Sequence, residues 1–438
     1  MTMNSSGPIS LAGTTAGQSI ELENGGNGTT IISLNDAAVR SLAGVPSGTI
    51  VMPTDFWGKS NFNGGQLWIW GRGSAGALGL GNTTSYSSPK QLGSATTWLT
   101  TAGGYLTSFA ITNTGQLWSW GSNGLGGITY FGGPLGLGDN VERSSPVQVG
   151  TLTDWAFVTG GGNSVAQVTA AVKTNGTLWT WGFQGYGGLG QGSTASKNSP
   201  VQVGALTNWK TTSVGGYFCA AVKTDGTLWV WGRNNNGQLG LGDTTNRSSP
   251  VQVGTDTNWK TVNCAAQNSI MQGVKTNGTL WGWGDNTNGT LGTGNTTSYS
   301  SPVQIGSLTT WSNVWNGTGG FGSGFNTALA IKSDGTAWVW GEGISGGLGL
   351  GNTTSYSSPK QLGALTTWTG AKVLMGQNSA MVIKSDGTLW TWGRNNYGQL
   401  GLGNTTNLSS PVQVGSLTTW QTLQSGNTGN SHNAIKIP

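Results

Sequence analysis

Seven copies of the pattern Trp-x-Trp-Gly run through this 438-residue sequence, and they constrain its fold more than any other feature. A Ser-Pro pair and then a third tryptophan follow each copy, so the repeat uses 21 of the 23 tryptophans and omits Trp57 and Trp315. Two tryptophans two residues apart lie on one face of a strand, where one unit can pack on the next. The pairs are Trp68/Trp70, Trp118/Trp120, Trp179/Trp181, Trp229/Trp231, Trp281/Trp283, Trp338/Trp340 and Trp390/Trp392.

Residues 220–262 show how one unit is organised. Alternating apolar runs flank Asp225-Gly226, and such a pair predicts a two-residue hairpin because it supplies positive φ angles. A Gly-rich loop, "GQLGLG", and two shorter strands follow. Units of about 50 to 60 residues with about four strands each are typical of propeller blades. We therefore predict an all-β fold, a seven-bladed β-propeller.

The sequence pattern of the repeat resembles that of the regulator of chromosome condensation family, whose units carry "LWxWGxNxxGQLGxG" followed by "SP". The stretches "LWVWGRNNNGQLGLG" at 228–242 and "LWTWGRNNYGQLGLG" at 389–403 match this pattern closely. The resemblance covers about residues 64–438 and implies a seven-bladed propeller. In the family, nucleotide exchange relies on an inserted hairpin wedge and histone binding on a basic tail. We match neither feature here.

The C-terminal "NAIKIP", residues 433–438, supplies a strand that the first copy lacks. Internal copies have a preceding partner strand such as "AAVKTN", whereas "GGQLWIWG" at 64–71 has none upstream. Lys436 falls at the repeat position of Lys173 and Lys223. We therefore expect the C-terminus to pair beside residues 66–70 and close the ring, leaving no open sheet edge between the last and first blades.

Composition favours a rigid, turn-rich β protein with little charge. Gly is 79 of 438 residues and charged residues are 8%, against about a quarter in typical soluble domains. The net charge of +5 reflects few acids rather than basic clusters, so we predict no nucleic-acid partner. Neither a signal peptide nor an apolar span is encoded, so we predict no membrane insertion. Cys219 and Cys264 fall at different repeat positions, and we interpret them as buried small hydrophobes.

Residues 1–63 lack the repeat and are predicted to form a small N-terminal domain that precedes a propeller at 64–438. This leader resembles N-terminal segments of bacteriophage tail-associated virion proteins, with a "GxISL...ISLND...VRxLxG...SGxIxMxDFxGKS" pattern matched at residues 7–11, 32–36, 39–44 and 47–60. The resemblance implies an anchoring domain that attaches a distal module to the virion. The alternative is a small domain that only packs on the propeller.

Searches for catalytic chemistry are mostly negative. "GKS" at 58–60 is not a P-loop, because Pro53 stands where that motif requires glycine. His432 is the single histidine, so neither a Ser-His-Asp triad nor a multi-histidine zinc site is available. Acids such as Asp225 and Asp386 stand in turns. We predict no catalytic residues, no cofactor and no metal site, and hence no enzyme. A polysaccharide-degrading enzyme would need an acid pair on one face.

Two sets of residues are candidate recognition surfaces. Lysines recur at one blade position and are predicted to form a basic ring that meets an acidic glycan or protein, the alternative being solvated lysines. Aromatic residues in the longer loops at 126–133 and 313–326 are candidate contacts, the alternative being burial against a neighbouring blade or subunit. The ring is Lys173, Lys223, Lys275, Lys332, Lys384 and Lys436, and the contact residues are Tyr130, Phe131, Trp315, Phe321 and Phe325.

The leader, the low charge and the missing catalytic set together predict a structural protein of a bacteriophage tail or baseplate. Its expected partners are other virion proteins and a host surface glycan or protein, and its expected place is the virion, assembled in the host cytoplasm. No heptads decide whether it is a homo-oligomer. The alternative follows the repeat resemblance and is a guanine-nucleotide-exchange or chromatin-binding propeller.

Overall fold

A computed structural model describes residues 64–124, 132–162, 167–265, 269–317, 327–423 and 430–437. The chain divides between Asn63 and Gly64, and every described residue belongs to the C-terminal unit. That unit contains seven four-stranded antiparallel sheets, each in the strand order of a propeller blade. The predicted all-β, seven-bladed fold is confirmed.

The first strands of neighbouring blades contact one another and surround a central channel, and the fourth strands lie at the rim. The chain opens with β1 (Gln66–Gly71) and β2 (Tyr86–Gln91). Blade 1 contains β3 (Trp98–Gly103), β4 (Thr107–Thr112), β5 (Leu117–Gly121) and β6 (Arg143–Gln148). Blade 2 contains β7 (Trp155–Gly162), β8 (Gln167–Lys173), β9 (Leu178–Gly182) and β10 (Lys197–Gln202). Blade 3 contains β11 (Trp209–Val214), β12 (Phe218–Lys223), β13 (Leu228–Gly232) and β14 (Arg247–Gln252).

The remaining blades follow the same plan. Blade 4 contains β15 (Trp259–Cys264), β16 (Ile270–Lys275), β17 (Leu280–Gly284) and β18 (Tyr299–Gln304). Blade 5 contains β19 (Trp311–Asn316), β20 (Thr327–Lys332), β21 (Ala337–Gly341) and β22 (Tyr356–Gln361). Blade 6 contains β23 (Lys372–Met375), β24 (Ser379–Ile383), β25 (Leu389–Gly393) and β26 (Leu408–Gln413). Short 3-10 turns occur at Ser74–Gly76, Gly185–Gly187 and Ile344–Gly346.

Blade 7 contains the first two and the last two strands of the propeller in chain order. Its first two strands are β27 (Trp420–Leu423) and β28 (Ser431–Lys436), and β1 and β2 complete the sheet. β28 pairs with β1 over six residues, from Gln66 opposite Lys436 to Gly71 opposite Ser431. The predicted closure is therefore confirmed, because the C-terminal strand fills the position that the first copy lacks.

The hairpin between the second and third strands is fixed by a short chain of hydrogen bonds. In blade 3, Trp229 Nε1 donates to Thr227 Oγ1 at 2.9 Å, and Thr227 donates to Asp225 Oδ1 at 2.7 Å. The hydrogen bonds that the hydroxyl and the backbone N–H of Thr227 donate to Asp225 hold the pKa of this carboxyl below its ordinary value. Four other blades repeat the arrangement with Asn or Asp at the turn. The carboxylate of Asp225 thus serves the turn, as the sequence predicts.

Each seam between blades depends on the second tryptophan of the motif. Trp231 is fully buried, and its Nε1 donates to the backbone oxygen of Gly188 in the preceding blade at 3.0 Å. Six of the seven copies make such a bond. A side chain at Gly190 would place its Cβ 2.8 Å from Trp231 Nε1, which explains the repeated glycine of the loop. The motif therefore encodes contacts between blades as well as strands within them.

Both cysteines lie in the core, as the sequence predicts. Cys219 and Cys264 are free thiols with no exposed surface. Burial raises the pKa of Cys264 to about 12, so its thiol stays protonated. Among the described residues, no helix is long and apolar enough to cross a membrane.

Candidate interaction face

The two ends of the blades differ in their connections. Because successive strands run antiparallel, the connections from first to second and from third to fourth strand lie at one end of every blade. We call this end the loop face. The hairpins between second and third strands and the links to the next blade lie at the opposite end, which we call the turn face.

The lysines predicted as a basic ring lie near the turn face, but they are not an open surface. Lys173, Lys223, Lys275, Lys332 and Lys384 are only 5–8% exposed. Each lies over the rings of two tryptophans, and in blade 3 Lys223 Nζ is 3.7 Å from the Trp229 ring centroid and 4.9 Å from that of Trp209. The sixth, Lys436, lies over Trp68 at 5.2 Å.

The expectation of an exposed ring is therefore wrong for the first five lysines. Their aliphatic stems are covered, and their ammonium groups are stabilised by the electron-rich faces of the tryptophans. Burial lowers the pKa of Lys223. Two of the lysines also pair with carboxylates, Lys173 with Asp154 at 3.2 Å and Lys275 with Asp256 at 2.8 Å. These side chains join the first three strands within a blade and are poorly placed to meet a partner.

The predicted contact loops give a mixed outcome. Tyr130, Phe131, Phe321 and Phe325 lie outside the described residues, so their role stays a prediction. Trp315 was expected in a loop but lies in β19, paired opposite Leu329. Its side chain is half-buried and packs against the core between blades 5 and 6. The loop assignment of Trp315 is wrong, because the strand that begins at the third tryptophan of the repeat is six residues long in β19, as in β3, β11 and β15, and Trp315 is its fifth residue.

Trp315 also lines a cavity of about 430 Å³ in the central channel. Thr, Ser and Asn side chains and apolar residues contribute about equally to the lining, and Lys372 is the one charged residue among the described residues that line it. Thr212 and Asn316 are at most 5% exposed, and a side-chain oxygen of each has no hydrogen-bond partner among the described residues. Buried hydroxyl and amide oxygens without protein partners favour hydration of the channel by ordered water.

The loop face carries two clusters in which an arginine meets tyrosines from other loops. In the first, Arg72 follows β1 and lies over the ring of Tyr397, 5.0 Å from its centroid. Its Nη1 also donates to Tyr105 Oη at 3.4 Å, and its Nε donates to Ser74 Oγ at 3.0 Å. The three residues come from blades 7, 6 and 1, so only closure of the ring brings them together. We call Arg72, Tyr105 and Tyr397 the Arg72 cluster.

The second cluster lies between blades 2 and 3. Arg233 lies over the rings of Tyr186 and Tyr217, with centroid distances of 5.3 and 5.5 Å. The two tyrosine rings meet edge to face at 5.4 Å, and Phe183 packs on Tyr217 at 5.9 Å. Tyr186 is 47% exposed and has a φ of +61°, which is costly for a residue other than glycine. We call Arg233, Tyr186, Tyr217 and Phe183 the Arg233 cluster.

Sequence reasoning missed both clusters, although a signal was present. Arginine follows the Trp-x-Trp-Gly motif in three copies, as Arg72, Arg233 and Arg394, and tyrosine occupies one loop position in two, as Tyr186 and Tyr397. The pairs Tyr186–Arg233 and Tyr397–Arg72 are equivalent contacts between consecutive blades. Comparing copies at this one position would have found them.

The same loop position is acidic in two neighbouring blades. Asp285 of blade 4 and Glu342 of blade 5 stand where Arg233 stands in blade 3. Burial raises the pKa of Glu342 to about 7, and its Oε2 is buried with no hydrogen-bond partner among the described residues. At this position the loop face therefore carries arginine on blades 3, 6 and 7 and an acidic residue on blades 4 and 5.

His432 is a structural residue of the closing strand. It is fully buried, its Nδ1 lies 2.9 Å from the backbone oxygen of Gln399, and burial lowers its pKa to about 4. Within the described part of the chain, no group of three or more His, Cys, Asp or Glu residues could hold a metal ion. What the described loop face can do chemically is bind, through aromatic rings and guanidinium groups.

Comparison with known proteins identifies the repeat. The family model described as "Regulator of chromosome condensation (RCC1) repeat" matches six segments, which are residues 64–111, 175–222, 225–271, 277–315, 334–383 and 386–434. Human E3 ubiquitin-protein ligase HERC2 is 27% identical over 374 residues, covering 83% of this chain and 7% of that protein. The ultraviolet-B receptor UVR8 of Arabidopsis thaliana is 30% identical over 292 residues, covering 64% of this chain and 63% of the receptor. The chain thus spans less than two thirds of either relative.

A solved structure supports the fold, and the sequence relatives together with it correct the predicted function. Prp20p of Saccharomyces cerevisiae, described by its binding properties to Gsp1p and histones, superposes with a TM-score of 0.69 at 16% identity, covering 86% of this chain and 92% of Prp20p. The expectation of a bacteriophage tail protein with virion partners is wrong, because the similar proteins are RCC1-type propellers. They favour the alternative reading. This chain belongs to the family of regulator of chromosome condensation (RCC1) repeat proteins.

Proposed function

We propose that this chain is a non-enzymatic, protein-binding RCC1-type propeller that receives its partner on the loop face. The candidate partners are a small GTPase, whose nucleotide exchange it would promote, or a chromatin protein. Prp20p, which has the same fold, is described by its binding to Gsp1p and histones. That description supplies the two partner classes to test.

One observation carries the choice of face, which is that the seven copies share the Gly-rich loop there but diverge at the residue that follows the Trp-x-Trp-Gly motif. On the turn face, five copies keep Asx-Gly-Thr, and six place a lysine before it or at the equivalent end of the strand. On the loop face, the residue after the motif has five identities among the seven blades, in the order Arg72, Ser122, Phe183, Arg233, Asp285, Glu342 and Arg394. Repeats conserve what packing requires, and differences between copies on one face mark the surface that contacts other molecules.

The experiment mixes the purified full chain with a panel of small GTPases loaded with a fluorescent guanine nucleotide, and in parallel with histone octamers. Size-exclusion chromatography reports complex formation, and the fluorescence decay reports nucleotide release. We expect a complex in at least one arm. Faster release would assign exchange, and a complex without faster release would assign binding alone.

Matched variants test the choice of face. Tyr186→Ala removes an exposed ring from the loop face, and the equivalent Ala75 already adopts a similar φ of +56°. Lys210→Ala removes an exposed side chain close to the turn face. We expect only the first to weaken the complex. Absence of complexes with all GTPases and with histones would refute the proposed function, and equal weakening by both variants would refute the assignment of the face.

A further inference from the structure

Resting on the proposed function, we propose that the partner docks an acidic segment on the loop face, with carboxylates pairing to Arg72 and Arg233. The two arginines belong to equivalent clusters on blades 7 and 3. Two blades separate them on one side of the ring and three on the other, so they lie on opposite sides of the channel. The partner must therefore present acidic groups to two separate points.

The guanidinium groups of Arg72 and Arg233 have no carboxylate partner among the described residues. In the described part of the chain, the arginines in ion pairs are Arg143, with Asp139 at 2.6 Å, and Arg247, with Asp243 at 2.6 Å. Arg72 and Arg233 have tyrosine rings instead of carboxylates as neighbours. Nε of Arg233 is buried and has no hydrogen-bond partner among the described residues. A partly buried guanidinium without a carboxylate keeps its capacity for a charge-assisted hydrogen bond.

Both guanidinium groups are also held in place before a partner binds. Rings from two loops hold each guanidinium in place, so less side-chain entropy is lost when an acceptor binds. Contact with a ring face does not consume the N–H donors, which can still form two parallel hydrogen bonds to one carboxylate. Tyrosine and arginine together are also the residues most enriched where binding energy concentrates at protein interfaces. Each cluster is thus built to receive a carboxylate.

The mixture of basic and acidic residues on the loop face favours an acidic protein segment over a nucleic acid as the partner. Asp285 and Glu342 occupy the equivalent loop position on blades 4 and 5, between Arg233 and Arg394. A phosphate backbone that crossed the face would be repelled there by Asp285 and, above about pH 7, also by Glu342, because its charge is continuous. A protein can place acidic groups opposite the arginines and neutral or basic groups opposite Asp285 and Glu342. The alternation of charge therefore selects a protein surface.

The test measures fluorescence anisotropy of a labelled Glu-rich peptide added to the full chain, beside a Gln-substituted peptide and a double-stranded DNA of similar length. We expect binding of the Glu-rich peptide only, weakening as salt is raised. The variant Arg72→Gln/Arg233→Gln should bind about tenfold more weakly or worse, because charged hydrogen bonds are lost at both clusters. Arg72→Lys/Arg233→Lys keeps the charge and should recover part of the affinity, since lysine cannot bind in a bidentate manner.

The control Arg143→Gln/Arg247→Gln removes the same charge from arginines that already have Asp partners, and it should bind as the parent does. Thermal unfolding confirms that each variant is folded. Equal weakening by both double Gln variants would overturn the proposal, as would preferential binding of DNA or no binding of the Glu-rich peptide. A GTPase or histone complex that survives Arg72→Gln/Arg233→Gln would also overturn it while leaving the proposed function intact. Peptide binding without such a complex would refute the proposed function alone.

Discussion

At the residue scale, burial changes what a charged side chain does in this propeller. Lys332 lies 3.8 Å from the Trp338 ring centroid and 5.1 Å from that of Trp311, so it links the second, third and first strands of its blade. In a chain with 8% charged residues, few salt bridges are available for this role. A recurring lysine therefore indicates a packing position here, whereas Arg72 and Arg233, with tyrosines and no carboxylates around them, indicate recognition.

His432 makes a pH-dependent contribution to stability. Its pKa is lowered from 6.5 to about 4 by burial, so between these values the unfolded chain binds a proton that the folded chain does not. Folding stability is then complete above pH 6.5, falls as the pH drops, and is lower by about 3 kcal/mol near pH 4. Glu342 acts in the opposite direction, because its raised pKa contributes stability below about pH 4.5 that is lost as the pH passes 7.

We therefore predict that His432→Gln flattens the acid side of the stability profile. Urea unfolding of the parent and the variant at pH 7, 5.5 and 4.5 isolates the histidine, because all other groups titrate in both. As the pH falls, the free energy of unfolding of the parent should decrease more than that of the variant, because only the parent contains the buried histidine. A difference that stays constant over this range would show that His432 is not held neutral.

At the element scale, the seams between blades depend on a glycine that leaves room for tryptophan. Gly190 and Gly204 both belong to blade 2 and have positive φ angles of +69° and +60°. A Cβ at Gly190 meets Trp231 Nε1 at 2.8 Å, whereas a Cβ at Gly204 meets nothing within 4 Å. A side chain at either position incurs the cost of a positive φ angle, but only a side chain at position 190 also clashes with Trp231.

The prediction is that Gly190→Ala destabilises the propeller more than Gly204→Ala does. Both substitutions incur about 1 kcal/mol of backbone strain, and Gly190→Ala adds about 1–3 kcal/mol of overpacking at the seam. Chemical unfolding followed by tryptophan fluorescence measures both changes. Equal losses would mean that the loop moves aside and that Trp231 does not need this glycine.

At the scale of the whole molecule, closure of the ring holds seven small sheets as one unit. β28 lies in the middle of its sheet, and Ile435 on this strand is fully buried opposite Leu67. Closure also builds the Arg72 cluster, because its residues come from blades 6, 7 and 1. Stability and the proposed recognition face thus depend on the same strand.

Deletion of residues 431–438 should lower the free energy of unfolding by about 5 kcal/mol or more, which is most of the stability of a typical domain. Loss of the strand leaves β27 without a partner, leaves β1 paired with β2 alone, and opens the ring. Differential scanning calorimetry should show a lower, broader transition, and a synthetic peptide of residues 430–438 should partly restore it. A truncated chain as stable as the parent would contradict the closure.

Some features of this propeller follow from its sequence, and others follow only from its tertiary structure. The sequence alone determines the blade count, the hairpins and the pairing of Lys436 near Gln66, because every copy must satisfy the same local hydrogen bonds and close approaches. It also identifies the family. It does not determine the burial of the lysines, the strand position of Trp315 or the meeting of Arg72 with Tyr105 and Tyr397. The lysines and Trp315 are fixed by packing and pairing between strands of one blade. The Arg72 cluster depends on which blades become neighbours once the ring closes.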